Sequence, residues 1–266
     1  MSNKLANIAS TTISLIAFCS IFGSIKVNSA QAATISLENP GFETPEQVNS
    51  VVPGAGFFDF ETPSGWDLYD PNGLIPENAS LDTSFTGGWK PSEAFFPVIP
   101  EGDQIGSIFL VPPGSGEVGF AQNTDTTIQA NTTYTLSAAI LNTPASLDVG
   151  IFEGFPGYRL ELLAGNDVIA TDNNTVTVDE GGFATATVSY TSSNDDPYLG
   201  DLLGIRLINP NLNNESGLDG GNGVEVNFDD VRLSATSVPE TSTLGYIVCG
   251  IAFIFAKSLK KCRIKR

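Results

Sequence analysis

The sequence predicts an all-β protein, a jelly-roll-like β-sandwich ectodomain flanked by an N-terminal signal helix and a C-terminal hydrophobic helix. Three observations predict it. Apolar residues alternate with polar ones at period two through the middle of the chain, Gly, Asn and Pro clusters separate the alternating runs, and the long apolar stretches are confined to the two ends. No window between the ends shows a helical period, so strands at short spacing carry the whole central domain.

The N-terminal segment comes first. Lys4 precedes an apolar stretch from Ile13 to Ile25, which leads to Ala30-Gln31-Ala32, the small-x-small pattern that signal peptidase accepts. Residues 1–32 are therefore expected to be a signal peptide, with 33–236 the ectodomain and 237–266 a sorting or anchor segment. In the ectodomain Tyr134, Leu136, Ala138 and Ile140 alternate with Thr133, Thr135, Ser137 and Ala139, and Ala186, Val188 and Tyr190 with Thr185, Thr187 and Ser189. These runs read as half-buried strands. Leu160–Ala164 and Val168–Thr171 flank Gly165-Asn166-Asp167, residues tolerant of positive φ, and read as a hairpin. The last strand carries Val224, Val226 and Phe228 and then Val231 and Leu233, so its inward phase slips by one residue at Asp229-Asp230. A bulge or a change of sheet partner there is the simplest cause. Residues 42–103 alternate less and are rich in Pro, Gly and aromatics, which suits long loops that cap a core or form a ligand face.

The tail comes last. After Val238-Pro239-Glu240 follow the mostly apolar Leu244–Ala256 and then Lys257, Lys260, Lys261, Arg263, Lys265 and Arg266. The apolar run is shorter than the roughly 20 residues that span a bilayer comfortably. Snorkelling by Lys257 extends it, and the basic cluster is expected to stay on the cytoplasmic side. The tail resembles the PEP-CTERM sorting signal, with Thr241 where a second proline usually stands.

Composition excludes several chemistries. The chain has no histidine and three cysteines, Cys19, Cys249 and Cys262, all in the terminal segments. Ser-His-Asp triads, histidine bases, histidine-ligated zinc and ectodomain disulfides are therefore ruled out. The net charge of -18 averages two opposed regions, for only Lys90, Arg159, Arg206 and Arg232 are basic between residues 33 and 239, against 29 acidic residues. Such a domain repels nucleic acid and anionic lipid. Carboxylates without His or Cys favour a hard cation bound by oxygen, which points to calcium.

Two resemblances add to this reading. Asn39-Pro40-Gly41-Phe42-Glu43, Gly65-Trp66 and Phe228-Asp229-Asp230-Val231-Arg232-Leu233 together resemble a carbohydrate-binding-module jelly roll. Tyr69-Asp70-Pro71-Asn72-Gly73-Leu74-Ile75-Pro76-Glu77, Pro100-Glu101-Gly102, Ile105-Gly106, Pro113-Gly114-Ser115-Gly116, Gly154-Phe155-Pro156-Gly157-Tyr158-Arg159-Leu160-Glu161-Leu162-Leu163 and Leu203-Gly204-Ile205-Arg206-Leu207-Ile208-Asn209 resemble the calcium-dependent hapalindole-type (Stig) cyclases more closely. In such modules a structural calcium joins the first and last strands, which implies ligands at Asn39 or Glu43 and at Asp229, with backbone carbonyls completing the shell. The cyclases protonate an indole-isonitrile intermediate with a carboxylic acid near the last strand. The resemblance puts that acid at Asn227 and a tyrosine at Ser107, and an amide cannot serve as a carboxylic acid does. Asp219, Glu225 and Asp230 are the remaining candidates for the acid.

The leading expectation is accordingly an exported, non-catalytic module that binds calcium and a surface or matrix glycan through Tyr69 and Trp89. Trp66, in its Gly-Trp setting, is expected in the core. A calcium-dependent Stig-type cyclase is the alternative, and a matrix protein with no small ligand a third reading. Export and sorting machinery and the membrane, reached through the tail, are the expected partners, and nucleic acid is not.

Overall fold

A computed structural model describes residues 31–50, 54–111, 115–144, 155–212 and 223–239. Residues 1–30 of the expected signal segment, the tail from residue 240 onward and Asp219 lie outside the described residues. The described part is all-β, as the alternation predicts, and forms two packed sheets.

Twelve strands follow in order: β1 (Ala32–Ile35), β2 (Gly56–Phe58), β3 (Asp67–Tyr69), β4 (Phe85–Pro91), β5 (Ile105–Leu110), β6 (Val118–Thr127), β7 (Thr132–Leu141), β8 (Arg159–Ala164), β9 (Asp167–Asn173), β10 (Phe183–Thr191), β11 (Leu202–Asn209) and β12 (Val224–Ser237). One sheet runs β10-β7-β12-β5-β4-β2 with β1 added to β12, and the other runs β3-β6-β11-β8-β9. The pairs are antiparallel throughout the named strands. The β8–β9 hairpin turns where Gly165-Asn166 predicts, with Gly165 at φ 57°.

Side chains at alternate positions of both sheets meet between them. Val224, Val226 and Phe228 of β12, Leu136 and Ile140 of β7, and Leu160, Leu162, Leu207 and Phe120 of the facing sheet form one buried core, with Trp66 in it as expected. Phe42 stacks on Trp66 at 5.2 Å between centroids.

The slip in β12 is a bulge. Its register against β7 shifts between Asp229 and Arg232, and Asp230 sits at φ 46°, so Val231 regains the inward side that Phe228 left. Before the bulge, Glu225, Asn227 and Asp229 therefore face the opposite side of the sheet from the core.

That opposite side is not open to water. Strand β5 is buried along its whole length, because Ile108 and Leu110 enter the main core while Ile105 joins Trp89, Phe95, Phe96 and Leu141 in a second cluster. The Pro- and Gly-rich segments covering β4 and β5 create this second layer. A Cβ on Gly87 would stand 2.1 Å from the carbonyl oxygen of Asp59, so only glycine lets the covering segment lie so close to the sheet.

Candidate functional site

The buried outer side of β12 and β5 carries polar groups in an apolar setting. Asn227 pairs with Ser107 across the two strands, and Glu225 pairs with Phe109. Ser107 Oγ donates to Asn227 Oδ1 at 2.6 Å. Asn227 Nδ2 donates to Thr143 Oγ1 at 2.8 Å, and Thr143 Oγ1 donates to Glu225 Oε1 at 2.6 Å. All four side chains are buried, Asn227 and Ser107 to 0% exposure and Glu225 to 2%.

Burial pushes the Glu225 carboxyl up to about 7, while hydrogen bonds from Thr143 and Asn227 act in the opposite direction. Near neutral pH it is thus poised between acid and carboxylate, the range in which general acid catalysis works best. Its surroundings are aromatic. Phe109 stacks on Phe85 at 5.0 Å, and Phe85 meets Phe58 and Phe60 edge-on at 4.9 and 5.3 Å. Trp89, Phe95 and Phe96 continue the wall, and Trp89 donates its indole N–H to the carbonyl of Ala55 at 2.9 Å. An acid beside aromatic faces suits a neutral, weakly basic organic substrate whose protonated form those faces stabilise.

The three candidates for the acid fall in different places. Glu225 belongs to this chain of hydrogen bonds, directly linked through Thr143 to the Asn227 and Ser107 positions that the cyclase resemblance singles out. Asp230 sits on the bulge and accepts from Arg232 Nε at 2.7 Å, half-buried and apart from Glu225. Asp219 is outside the described residues.

The expected calcium ligands are only partly together. Asp229 is fully buried, with Oδ2 accepting from the Glu101 amide at 2.8 Å and Oδ1 from the Asp230 amide at 2.7 Å. Burial raises its carboxyl to about 8, those amides act to lower it, and the Glu101 and Asp230 charges raise it further. Glu43 lies nearby but spends Oε1 on the amides of Asp103 and Gln104, both at 2.8 Å. The Asn39 amide is turned elsewhere, donating to the carbonyls of Thr44 and Ser64 and accepting from the Thr44 amide, so its side chain shapes a turn. The carboxylate that sequence reasoning missed is Glu101. A Cβ on Gly41 would stand 1.9 Å from Glu101 Oε2 and 3.7 Å from Asp229 Oδ1, so both carboxylates converge on the space that glycine leaves. Among the described residues no group of three or more Asp, Glu or Cys side chains is arranged to hold a metal ion.

The two expected glycan platforms lie on different sheets. Trp89 is 3% exposed, with Phe95 and Phe96 packed against its ring at 5.2 and 5.7 Å. Tyr69 lies on the other sheet, where its hydroxyl donates to Glu117 at 2.9 Å and the Arg206 guanidinium covers its ring at 4.2 Å.

Residues 33–234 match the HpiC1-like family, described as HpiC1 cyclase. The chain belongs to the HpiC1-like cyclase family. Solved structures of Stig-type cyclases agree with the match. A Stig cyclase, Fisc, from Fischerella sp. TAU, in complex with (3Z)-3-(1-methyl-2-pyrrolidinylidene)-3H-indole, is 37% identical, with 79% of this chain and 100% of that one covered at a TM-score of 0.67. A cyclase from Fischerella sp. TAU in complex with 4-(1H-indol-3-yl)butan-2-one is also 37% identical, covering 78% and 99% at a TM-score of 0.66. No curated protein matches the chain. A carbohydrate-binding module in complex with β-1,4-galactotriose is 13% identical, covering 76% and 98% at a TM-score of 0.42, too distant to argue for a sugar ligand of this chain.

Proposed function

We propose that this chain is an acid-dependent cyclase of the Stig type, acting on an indole-bearing precursor, with Glu225 as the proton donor. The observation that carries the reading is the buried Glu225 carboxyl, raised to about 7 beside Phe109 and joined by Thr143 to Asn227 and Ser107. Membership of the HpiC1-like family and the indole compounds held by the solved relatives support it. This replaces the expectation of a non-catalytic glycan binder, which rested on Tyr69 and Trp89.

Glu225 protonates the precursor, the aromatic wall of Phe85 and Phe109 shelters the resulting cation from water, and ring closure ends when a proton returns to the carboxylate. Each strand element contributes: β12 presents the acid, β5 and β4 the wall, and the segment over Gly87 the cover.

Calcium fits the pair Glu101 and Asp229, because two carboxylates facing one gap need a compensating charge, and among the described residues no cationic side chain supplies it to Asp229. Bound there with backbone carbonyls, the ion would neutralise both groups and tie the Asn39–Glu43 turn and the Glu101 loop to β12. Its role is structural in this reading, and the proton steps belong to Glu225.

Export by the N-terminal segment and retention at the cell surface by the PEP-CTERM-like tail complete the proposal, carried by Ala30-Gln31-Ala32 and by Val238-Pro239-Glu240 with its apolar and basic continuation. Incubating residues 33–237 with calcium and indole-isonitrile terpenoid precursors, and following cyclised products by chromatography and mass spectrometry, tests the activity. Turnover no faster than in buffer across that substrate class would refute it.

A further inference from the structure

The hydrogen bonds that reach Glu225 run in one direction. Ser107 Oγ gives its proton to Asn227 Oδ1, the Asn227 amide gives one to Thr143 Oγ1, and Thr143 gives its own to Glu225 Oε1, over 2.6, 2.8 and 2.6 Å. The amide sets the direction, because it has an acceptor end and a donor end. Were Asn227 turned over, the Thr143 proton would go to the amide oxygen and Glu225 would lose its donor. The opposing position on β5 is a hydroxyl that serves the acceptor end, which holds the amide as found.

These residues come from three elements and meet only in the fold: Ser107 from β5, Asn227 and Glu225 from β12 two residues apart on one side, and Thr143 from the segment just after β7. Burial, Thr143 and Asn227 are the influences on the Glu225 carboxyl, and among the described residues no charged group acts on it. Phe109 faces it from β5 and brings no polar atom. The acid is therefore raised by burial and held back only by an uncharged relay.

Resting on the reading of Glu225 as the acid, we propose that Thr143 and Asn227 are positioning residues, whose one-way hydrogen-bond chain orients the Glu225 carboxyl and stabilises the carboxylate left when its proton passes to the substrate. The step balances without any co-reactant. The Glu225 O–H bond breaks as a bond from that proton to the substrate forms, the cation closes its ring, and a proton lost from the closed ring restores the acid.

A chain that merely satisfies buried polar groups would alter stability on truncation but leave the pH dependence of kcat unchanged. The test is the pH dependence of kcat for residues 33–237 with calcium, beside direct titration of the Glu225 carboxyl by infrared difference spectroscopy with Glu225→Gln as baseline. Thr143→Val removes a donor to the charged form, so both midpoints should move upward by about one to two pH units. Thr143→Ser keeps the donor and should restore the wild-type midpoint. Should Thr143→Val fail to fold, Asn227→Ala carries the test, with an upward shift of smaller size. A folded Thr143→Val or Asn227→Ala protein whose infrared midpoint equals that of wild type overturns the inference. Full activity in Glu225→Gln would instead sink the acid assignment, while the infrared arm still reports whether the chain tunes the carboxyl.

Discussion

Asn227 and Ser107 stand directly opposite each other on β12 and β5, joined by a 2.6 Å hydrogen bond from the serine hydroxyl to the amide oxygen. The amide passes its own proton to Thr143, so a residue unable to act as an acid becomes the hinge that connects to one that can. The amide at position 227 is thus accompanied by a carboxyl two residues earlier on the same side of the strand.

Activity should follow the protonated form of Glu225. With the carboxyl raised to about 7, kcat is expected to be full near pH 6 and to fall as pH rises through 7 to 8. The kcat–pH profile of residues 33–237 checks this, and a rate that increases with pH across that window would contradict it.

The same raised carboxyl links pH to stability. The folded state holds the Glu225 proton more tightly than the unfolded chain, so this contribution is complete below about pH 4 and is lost as pH rises through about 7. Wild type should lose on the order of 3 kcal/mol more than Glu225→Gln between pH 5 and pH 9, read as several degrees in melting temperature. Parallel melting curves for the two proteins across that range would exclude it.

Calcium should raise the melting temperature of residues 33–237, and a chelator should lower it by several degrees, given about 2.7 kcal/mol at 100 times the dissociation constant. Asp229→Asn should remove most of this response. Gly41→Ala should weaken it without unfolding the domain, because its Cβ would stand 1.9 Å from Glu101 Oε2 and displace a mobile carboxylate end rather than backbone. Differential scanning calorimetry with and without chelator decides the matter, and an identical wild-type melt in both conditions removes the site.

Trp89→Ala should destabilise the domain by about 3–5 kcal/mol, the usual cost of emptying a large buried aromatic site. Asp230→Asn, which keeps a residue tolerant of φ 46°, should leave turnover within about twofold of wild type. Denaturant melts and steady-state rates distinguish these outcomes from a glycan-binding Trp89 and a catalytic Asp230.

Much of the sandwich is legible in the sequence because its strands obey local rules. Strand β10 and the first six residues of β7 alternate cleanly since their outer side is open to water, and Gly165-Asn166-Asp167 turns the β8–β9 hairpin by its own backbone preference. The bulge shows as a one-residue slip at Asp229-Asp230. Strands β4 and β5 hide the pattern, for segments remote in sequence cover their outer side and make both faces buried. The same tertiary cover buries Trp89, whose Pro- and Gly-rich setting reads as a loop that either caps a core or forms a ligand face. Glu225 is recognisable as one of three nearby acids, but its selection depends on Thr143, 82 positions away in the chain. Glu101 escapes notice because only the folded loop places its amide and carboxylate on Asp229.

The most direct test of the account is single-turnover conversion of an indole-isonitrile terpenoid precursor by wild type and by Glu225→Gln, at pH 6.5 with calcium, after melting curves have shown both to be folded. A positioned general acid contributes about 10²–10⁴-fold, so the glutamine variant should lose at least about 100-fold in rate. Equal rates in the two folded proteins would contradict the assignment of Glu225 as the acid of this cyclase.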